Sequence, residues 1–324
     1  MDAIGGYFEL ADYGEGVFPH SSGILLNTGR NAMEYILLSI REKIHTIHIP
    51  YYTCDAVLEP LQRLGIPWTF YHIDKQFEIA EDIPLGNGKY LIANNYFGIK
   101  DAYIRTLAER YGDRLIVDCA QAFFAKPIPG IKTFYSPRKY VGVADGGVAY
   151  LSDLQDRWVE ADIKEIDCTS DHDSHLYTRK QYGAEAGFAA YQANEKKLEK
   201  QPARWMSGKT RQILDHIDYE KVISRRRENY AYLHERLSEM NDLQLPDMET
   251  FVCPMAYPFM DSAGRNLRDV LIENKIFVAR YWPNVRGFED YRIEEDFANK
   301  LLPLPCDQRY GNADMDIIVE RINN

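Results

Sequence analysis

In YLIANNYFGIKDAYIRTLAERYGDRLIVDCAQAFF, residues 90–124, an apolar run, an amphipathic run and a second apolar run follow one another. YLIANNYFG reads as a strand, DAYIRTLAERYG as a helix that Gly112 ends, and RLIVDCAQAFF as a fully apolar strand running through Asp118. The same beat precedes it. NTGRNAMEYILLSIREK (27–43) carries Met33, Ile36, Leu37 and Ile40 at helical spacing. TIHIP (46–50) and IPWTFYHID (66–74) read as strands on either side of CDAVLEPLQRLG (54–65), a helix ended by Gly65. Strands and helices alternating at this spacing form crossover units, so the expected fold class is α/β with a mainly parallel sheet.

The second half changes character. Residues 151–235 are charged and helical in pattern, and HIDYEKVISRRRENYAYLHERLSEM (216–240) reads as one long amphipathic helix whose arginine triplet forms a solvated face. YPFM, NLRDVLIENKIFVARYWP and MDIIVERI then fit a small α+β domain. The expected division is an irregular N-terminal arm at 1–24, a large α/β domain at 25–215 and a small C-terminal domain at 216–324.

Composition narrows the function. A chain of 324 residues with 45% hydrophobic content has material for a sizeable core. A formal net charge of -11 argues against a general binder of nucleic acid or anionic membrane, and leaves room for a local basic cleft that takes one small anionic ligand. The cysteines at 54, 119, 168, 253 and 306 are scattered and odd in number, with no Cys-x-x-Cys pair, so neither a disulfide framework nor a zinc knuckle is expected. The acidic start MDAIGGYFELADYGEG lacks an apolar signal core and no apolar run could span a bilayer, which sets the expectation of a cytoplasmic protein.

Parallel sheets bind ligands beyond the carboxyl ends of their strands, and the unusual residues fall there. Asp118 ends the strand RLIVD, where a carboxylate needs a cationic partner; alone it reads equally well as a cap of the following helix. Asn95-Tyr96-Phe97-Gly98 ends another strand. Thr28-Gly29-Arg30-Asn31 opens a helix, and free N–H groups there favour a phosphate, although a plain helix start explains them too. Lys139 sits in SPRK, which is turn chemistry, six residues before Asp145-Gly146-Gly147.

Pyridoxal phosphate requires this combination: a helix N-terminus for its phosphate, a carboxylate at its ring nitrogen, a polar or aromatic wall over the ring and a lysine for the Schiff base. At these residues the chain resembles the DegT/DnrJ/EryC1/StrS sugar aminotransferases. NTGRNAMEYIL is similar to the family's Gly-Thr helix start, IPYYTCDAVLEPLQRLGIPWTFYHID to its Pro-x-x-Thr block, VDCAQAFFA to its Glu-Asp-Ala-Ala-His/Gln block and SPRKYVGVADGGVAY to its Lys block with Glu/Asp-Gly-Gly. VARYWPNV and LLPLPCDQRY resemble its C-terminal blocks.

The resemblance implies the aspartate-aminotransferase-like fold (fold type I), with a seven-stranded type of sheet, helices on both its faces and a small C-terminal α+β domain. It implies that Lys139 forms the internal aldimine, Asp118 pairs with the pyridinium nitrogen and Gln121 lies against the ring. Gly29, Arg30, Asn31 and Ser136 would hold the phosphate. Read from the residues alone, Tyr51 and Tyr52 after Pro50 could stack on cofactor or sugar, although aromatic residues at a strand end are as often core. The implied reaction is amino transfer from an amino acid, glutamate, to a nucleotide-linked keto-sugar, in a homodimer that builds each site at the subunit interface. The implied alternatives are a non-catalytic cofactor-binding sensor and another pyridoxal reaction such as sugar dehydration, against which Lys139 speaks because the dehydratase branch carries His there. In PARWMSGK, related to the segment that reaches into the partner's site, Trp205 takes the place of an expected arginine.

Competing motifs are weaker. SGKT (207–210) mimics the end of a P-loop without a preceding apolar strand or the first glycine. No Gly-x-Gly-x-x-Gly follows the early strand. DHDSH (171–175) could ligate a metal, but a polar loop lining the substrate entrance explains it better, so no metal site is expected.

Overall fold

The alternating runs fold into one large sheet in a computed structural model that describes residues 3–12, 14–153, 163–164, 172–261, 265–285 and 292–323. Cys168 and Asp171 fall outside the described residues. The first half contains β1 (Ile4–Gly5), β2 (Ile24–Leu26), α1 (Gly29–Ser39), β3 (Thr46–Pro50), α2 (Leu58–Leu64), β4 (Trp68–Tyr71), β5 (Lys89–Asn94), α3 (Asp101–Tyr111), β6 (Leu115–Cys119), β7 (Lys132–Tyr135) and β8 (Gly147–Tyr150). Then come α4 (Ser174–Tyr182), α5 (Ala184–Leu198), α6 (Gly208–Leu214), α7 (Tyr219–Leu237), β9 (Tyr257–Phe259), α8 (Leu267–Glu273), β10 (Ile276–Phe277), α9 (Arg292–Lys300), β11 (Leu302–Leu304) and α10 (Asn312–Asn323).

The seven strands lie in the order β2-β8-β7-β6-β5-β3-β4. From β7 to β4 every pairing is parallel, and β8 runs antiparallel to both its neighbours. Because strand side chains alternate faces, β5 supplies both sides of the core. Leu91 and Ala93 join the cluster that holds Ile104 and Leu107 of α3. Tyr90 and Ile92 join the one that holds Met33 and Ile36 of α1 and Leu61 of α2. Coverage of both faces is what lets a parallel strand read as an unbroken apolar run.

Local chemistry sets the ends. Thr28 caps α1, its hydroxyl accepting from the Asn31 N–H at 3.1 Å. Gly65 stops α2 in a left-handed conformation, φ 61°. The expected strand RLIVDCAQAFF is shorter than its apolar run. It stops at Cys119, because Asp118 Oδ1 accepts from the Ala120 N–H at 2.8 Å and folds the chain into a turn. Phe123 stays fully buried without belonging to a strand.

Two expectations need correction. The N-terminal arm is not wholly irregular: β1 pairs in parallel with β10, and Ile24 already belongs to β2. Nor is the arginine triplet a solvated face. Arg225 is half-buried, and Arg226 is fully buried and donates to the carbonyl oxygens of Met255 at 3.0 Å and Tyr140 at 3.2 Å. Its guanidinium carbon also lies 4.4 Å from the Tyr140 ring centre, so α7 is tied to the segment directly after Lys139. β9 and β11 form a separate antiparallel pair.

Candidate active site

At the carboxyl end of β6, Asp118 faces a cavity of about 220 Å³. The start of α1 borders the same space with Thr28, Gly29 and Arg30, the end of β5 with Asn94 and Asn95, and the chain after β7 with Ser136 and Lys139. Asp118 is ringed by protein yet half-buried rather than sealed, because its carboxylate opens onto this cavity. Burial pushes its pKa up, the Lys139 ammonium and the Ala120 N–H pull it down, and burial prevails. A carboxylate so placed gains from a further cationic partner inside the cavity.

Lys139 ends a 3-10 turn that starts at Pro137. It is half-buried, and its ammonium has no hydrogen bond or ion pair among the described residues. Gln121 uses Oε1 to accept from the Phe97 N–H at 2.9 Å, and its buried Nε2 has no acceptor among the described residues. Asn94 donates to Thr53 at 3.1 Å, and its Oδ1 has no donor among the described residues. The wall therefore holds a carboxylate, an amine and two unsatisfied amide atoms around one small space, which is the polar inventory of a ligand site.

Beside Lys139, α1 points its N-terminus at Ser136. The first N–H groups of a helix have no intrahelical acceptor, here those of Gly29 and Arg30. A Cβ on Gly29 would lie 3.2 Å from Ser136 Cβ and 3.8 Å from its Oγ, so the helix start and the hydroxyl are neighbours. Together they can receive a phosphate.

Other residues singled out in the sequence lie elsewhere. Arg30 borders the cavity, but its guanidinium is held by Glu59 at 3.0 Å and the Leu198 carbonyl at 2.8 Å. Asn31 turns away, donating to Glu34 at 2.7 Å and the Gln201 carbonyl at 2.9 Å. Tyr52 is fully buried outside the cavity wall, donating to the Tyr281 carbonyl at 2.8 Å and packing edge-on against Trp282. Trp282 borders the cavity instead, so the C-terminal ARYWP block supplies an aromatic wall that local reading assigned to Tyr52.

A larger cavity of about 830 Å³ adjoins the first. It runs between the N-terminal arm, the α4–α5 hairpin and the chain after β10, and shares Ser136, Arg138, Lys139 and Glu195 with the smaller one. Arg138 and Glu195 went unnoticed in the sequence. The only signal for Arg138 is its place directly before Lys139.

The competing motifs resolve into structural contacts. At SGKT, Ser207 caps α6, and the Ser207 N–H, the Ser207 hydroxyl and the Thr210 hydroxyl all donate to buried Asp145. Burial alone would raise the Asp145 pKa, but hydrogen bonds from His172, Ser207 and Thr210 bring it below its ordinary value. The DHDSH stretch divides: His172 meets Asp145 at 3.5 Å, Asp173 pairs with Lys209, and His175 lines the larger cavity. Trp205 packs within its own chain, bridging to Leu26 and facing Tyr35.

No family model matches the chain, and no curated protein does. Solved structures do. A DegT DnrJ EryC1 StrS aminotransferase from Brucella abortus is 15% identical with a TM-score of 0.60, over 93% of this chain and 84% of that one. DesI, solved in the presence of its TDP-sugar product, is 16% identical with a TM-score of 0.61, over 93% and 79%. PseC of Helicobacter pylori, an aminotransferase involved in the biosynthesis of pseudoaminic acid, is 10% identical with a TM-score of 0.60, over 99% and 98%. A mixed α/β chain with a large, mostly parallel sheet, this protein has the fold of these sugar aminotransferases.

Proposed function

We propose that the protein is a pyridoxal-phosphate-dependent aminotransferase of the aspartate-aminotransferase type, moving an amino group from an amino acid, glutamate, to a nucleotide-linked keto-sugar. The observation that carries the reading is convergence: Asp118, Lys139, Ser136 and the open start of α1 border one cavity at the strand ends. The likeness in fold to aminotransferases, one of them solved with a TDP-sugar product, supports it.

The donor set fits this cofactor. The N–H groups of Gly29 and Arg30 with Ser136 Oγ would hold its phosphate. Asp118 would hold a protonated ring nitrogen, and that new partner would offset the burial that raises its pKa. Gln121 Nε2 and Asn94 Oδ1, both unsatisfied among the described residues, would find partners at the ring's edge. When bound, pyridoxal phosphate supplies an electron sink for negative charge at the carbon that carries the amino group.

The chain's own residues do the rest. The Lys139 amine, tethered on a short turn and free of ion pairs among the described residues, accepts and returns a proton at the substrate carbon. Trp282 closes one side of the cavity against water. The larger cavity, with its mainly apolar arm and hairpin, receives the sugar. The active form is a homodimer.

The test is half a reaction. Purified protein loaded with pyridoxal phosphate and given L-glutamate releases 2-oxoglutarate stoichiometrically, and a nucleotide keto-sugar then restores the starting spectrum. Stable cofactor binding with no 2-oxoglutarate would favour the sensor reading instead.

A further inference from the structure

Among the described residues, three guanidiniums line the two cavities: Arg30 the smaller, Arg179 the larger and Arg138 both. Arg30 is fixed at two points, Glu59 and the Leu198 carbonyl. Arg179 is fixed by Glu9 at 2.7 Å and the Gly5 carbonyl at 2.9 Å. Arg138 differs. Its one acceptor among the described residues is Glu195 Oε1 on α5, and its buried Nε has none. A guanidinium carries five N–H donors in a rigid fork that matches a carboxylate, so most of its capacity is unused.

The pair is also unequal in exposure. The Arg138 side chain is 17% exposed and that of Glu195 is 37% exposed, so the acid lies nearer open space than the base. Burial pushes the Arg138 guanidinium's pKa down, and leaving it without a counter-charge would be costly. A second carboxylate could take the place of Glu195 while the guanidinium stays paired throughout. Position then selects the ligand. Arg138 and Lys139 line the same two cavities, so an anion on Arg138 shares a cavity with Lys139. In an α-amino acid the carboxylate sits on the carbon that bears nitrogen.

We infer that Arg138 is the carboxylate anchor for the amino-acid substrate, and that Glu195 is an internal carboxylate which holds the anchor until the substrate displaces it. The inference deepens the aminotransferase reading and rests on it for the identity of the substrate. The cofactor phosphate is the competing anion, since Arg138 also borders the smaller cavity.

The test uses maleate, a dicarboxylate without an amine, titrated calorimetrically into cofactor-loaded wild type, Arg138→Gln and Glu195→Gln. Arg138→Gln should weaken maleate ~10–100-fold, and Glu195→Gln should tighten it ~2–5-fold by freeing the fork. In parallel, Arg138→Gln should raise the KM for L-glutamate while its titration with pyridoxal phosphate matches wild type. Arg138→Lys keeps the charge and loses the fork; it should give an intermediate loss and serves if the Gln variant does not fold. Unchanged maleate affinity in the Arg138 variants, no maleate binding by wild type, or a loss confined to the cofactor titration would overturn the assignment. If wild type takes up no cofactor, the aminotransferase reading fails, and the same titrations on cofactor-free protein still decide whether Arg138 anchors a carboxylate.

Discussion

Two helix starts look alike in the sequence and are put to opposite uses. NTGRN at α1 and SGKT at α6 each offer a hydroxyl cap, a glycine and free N–H groups. At α6 the position where an anion would sit is filled by the protein's own carboxylate, Asp145, which takes donors from Ser207 and Thr210. At α1 Gly29 and Arg30 border a cavity, with Ser136 beside Gly29. A short motif thus marks a helix start, and whether it becomes a binding site depends on what distant segment arrives to fill it.

The contrast can be broken from both sides, and the largest effect belongs to the open side. Lys139→Ala should cut amino transfer by ~10²–10⁴-fold with thermal stability close to wild type, because the half-buried ammonium makes no hydrogen bond or ion pair among the described residues. Wild-type rates from a correctly folded variant would remove the lysine from the chemistry. On the closed side, Asp145→Ala should lower unfolding free energy by ~2–4 kcal/mol in urea titrations, since it strands several buried donors at once. Its cofactor titration should hold, and a selective loss of cofactor instead would erase the distinction between the two starts.

Smaller effects sharpen the comparison. Ser136→Ala should weaken pyridoxal phosphate ~10-fold by spectroscopic titration, the size expected of one hydrogen bond to a charged group; no change would place the phosphate elsewhere. The pH response is smallest. Asp145 titrates below its ordinary 3.8 in the folded protein, so its stabilisation is fully present above that value and is lost as pH falls through the lower, folded pKa. The stability gap between wild type and Asp145→Asn should therefore stay constant from neutral pH to about 4 and narrow only below it. Narrowing that began well above pH 4 would contradict a carboxylate held charged by these donors.

What was legible in the sequence was local or periodic. Strand-helix alternation announced a mainly parallel sheet, though not its strand order, and the carboxyl end of a strand and a helix start drew attention to Asp118 and α1, which border one cavity. Side-chain direction was not legible. Asn31 and Tyr52 lie within the right segments but turn toward the carbonyls of Gln201 and Tyr281, partners fixed only by tertiary packing. Trp282 and Glu195 arrive at the cavities from far along the chain, and nothing near Lys139 announces them. Arg226 could have been found. It falls on the helical stripe of Val222, Asn229, Tyr230, Leu233 and Leu237, all buried, so the triplet's middle member had to point inward.

The most direct measurement is the visible spectrum of purified protein titrated with pyridoxal phosphate, followed by borohydride reduction and peptide mapping of the modified lysine. The account predicts a violet-region absorption band and a single reduced adduct at Lys139. A well-folded protein with no such band, or an adduct on any other lysine, would contradict the claim that the cavity at the end of β6 is a pyridoxal phosphate site.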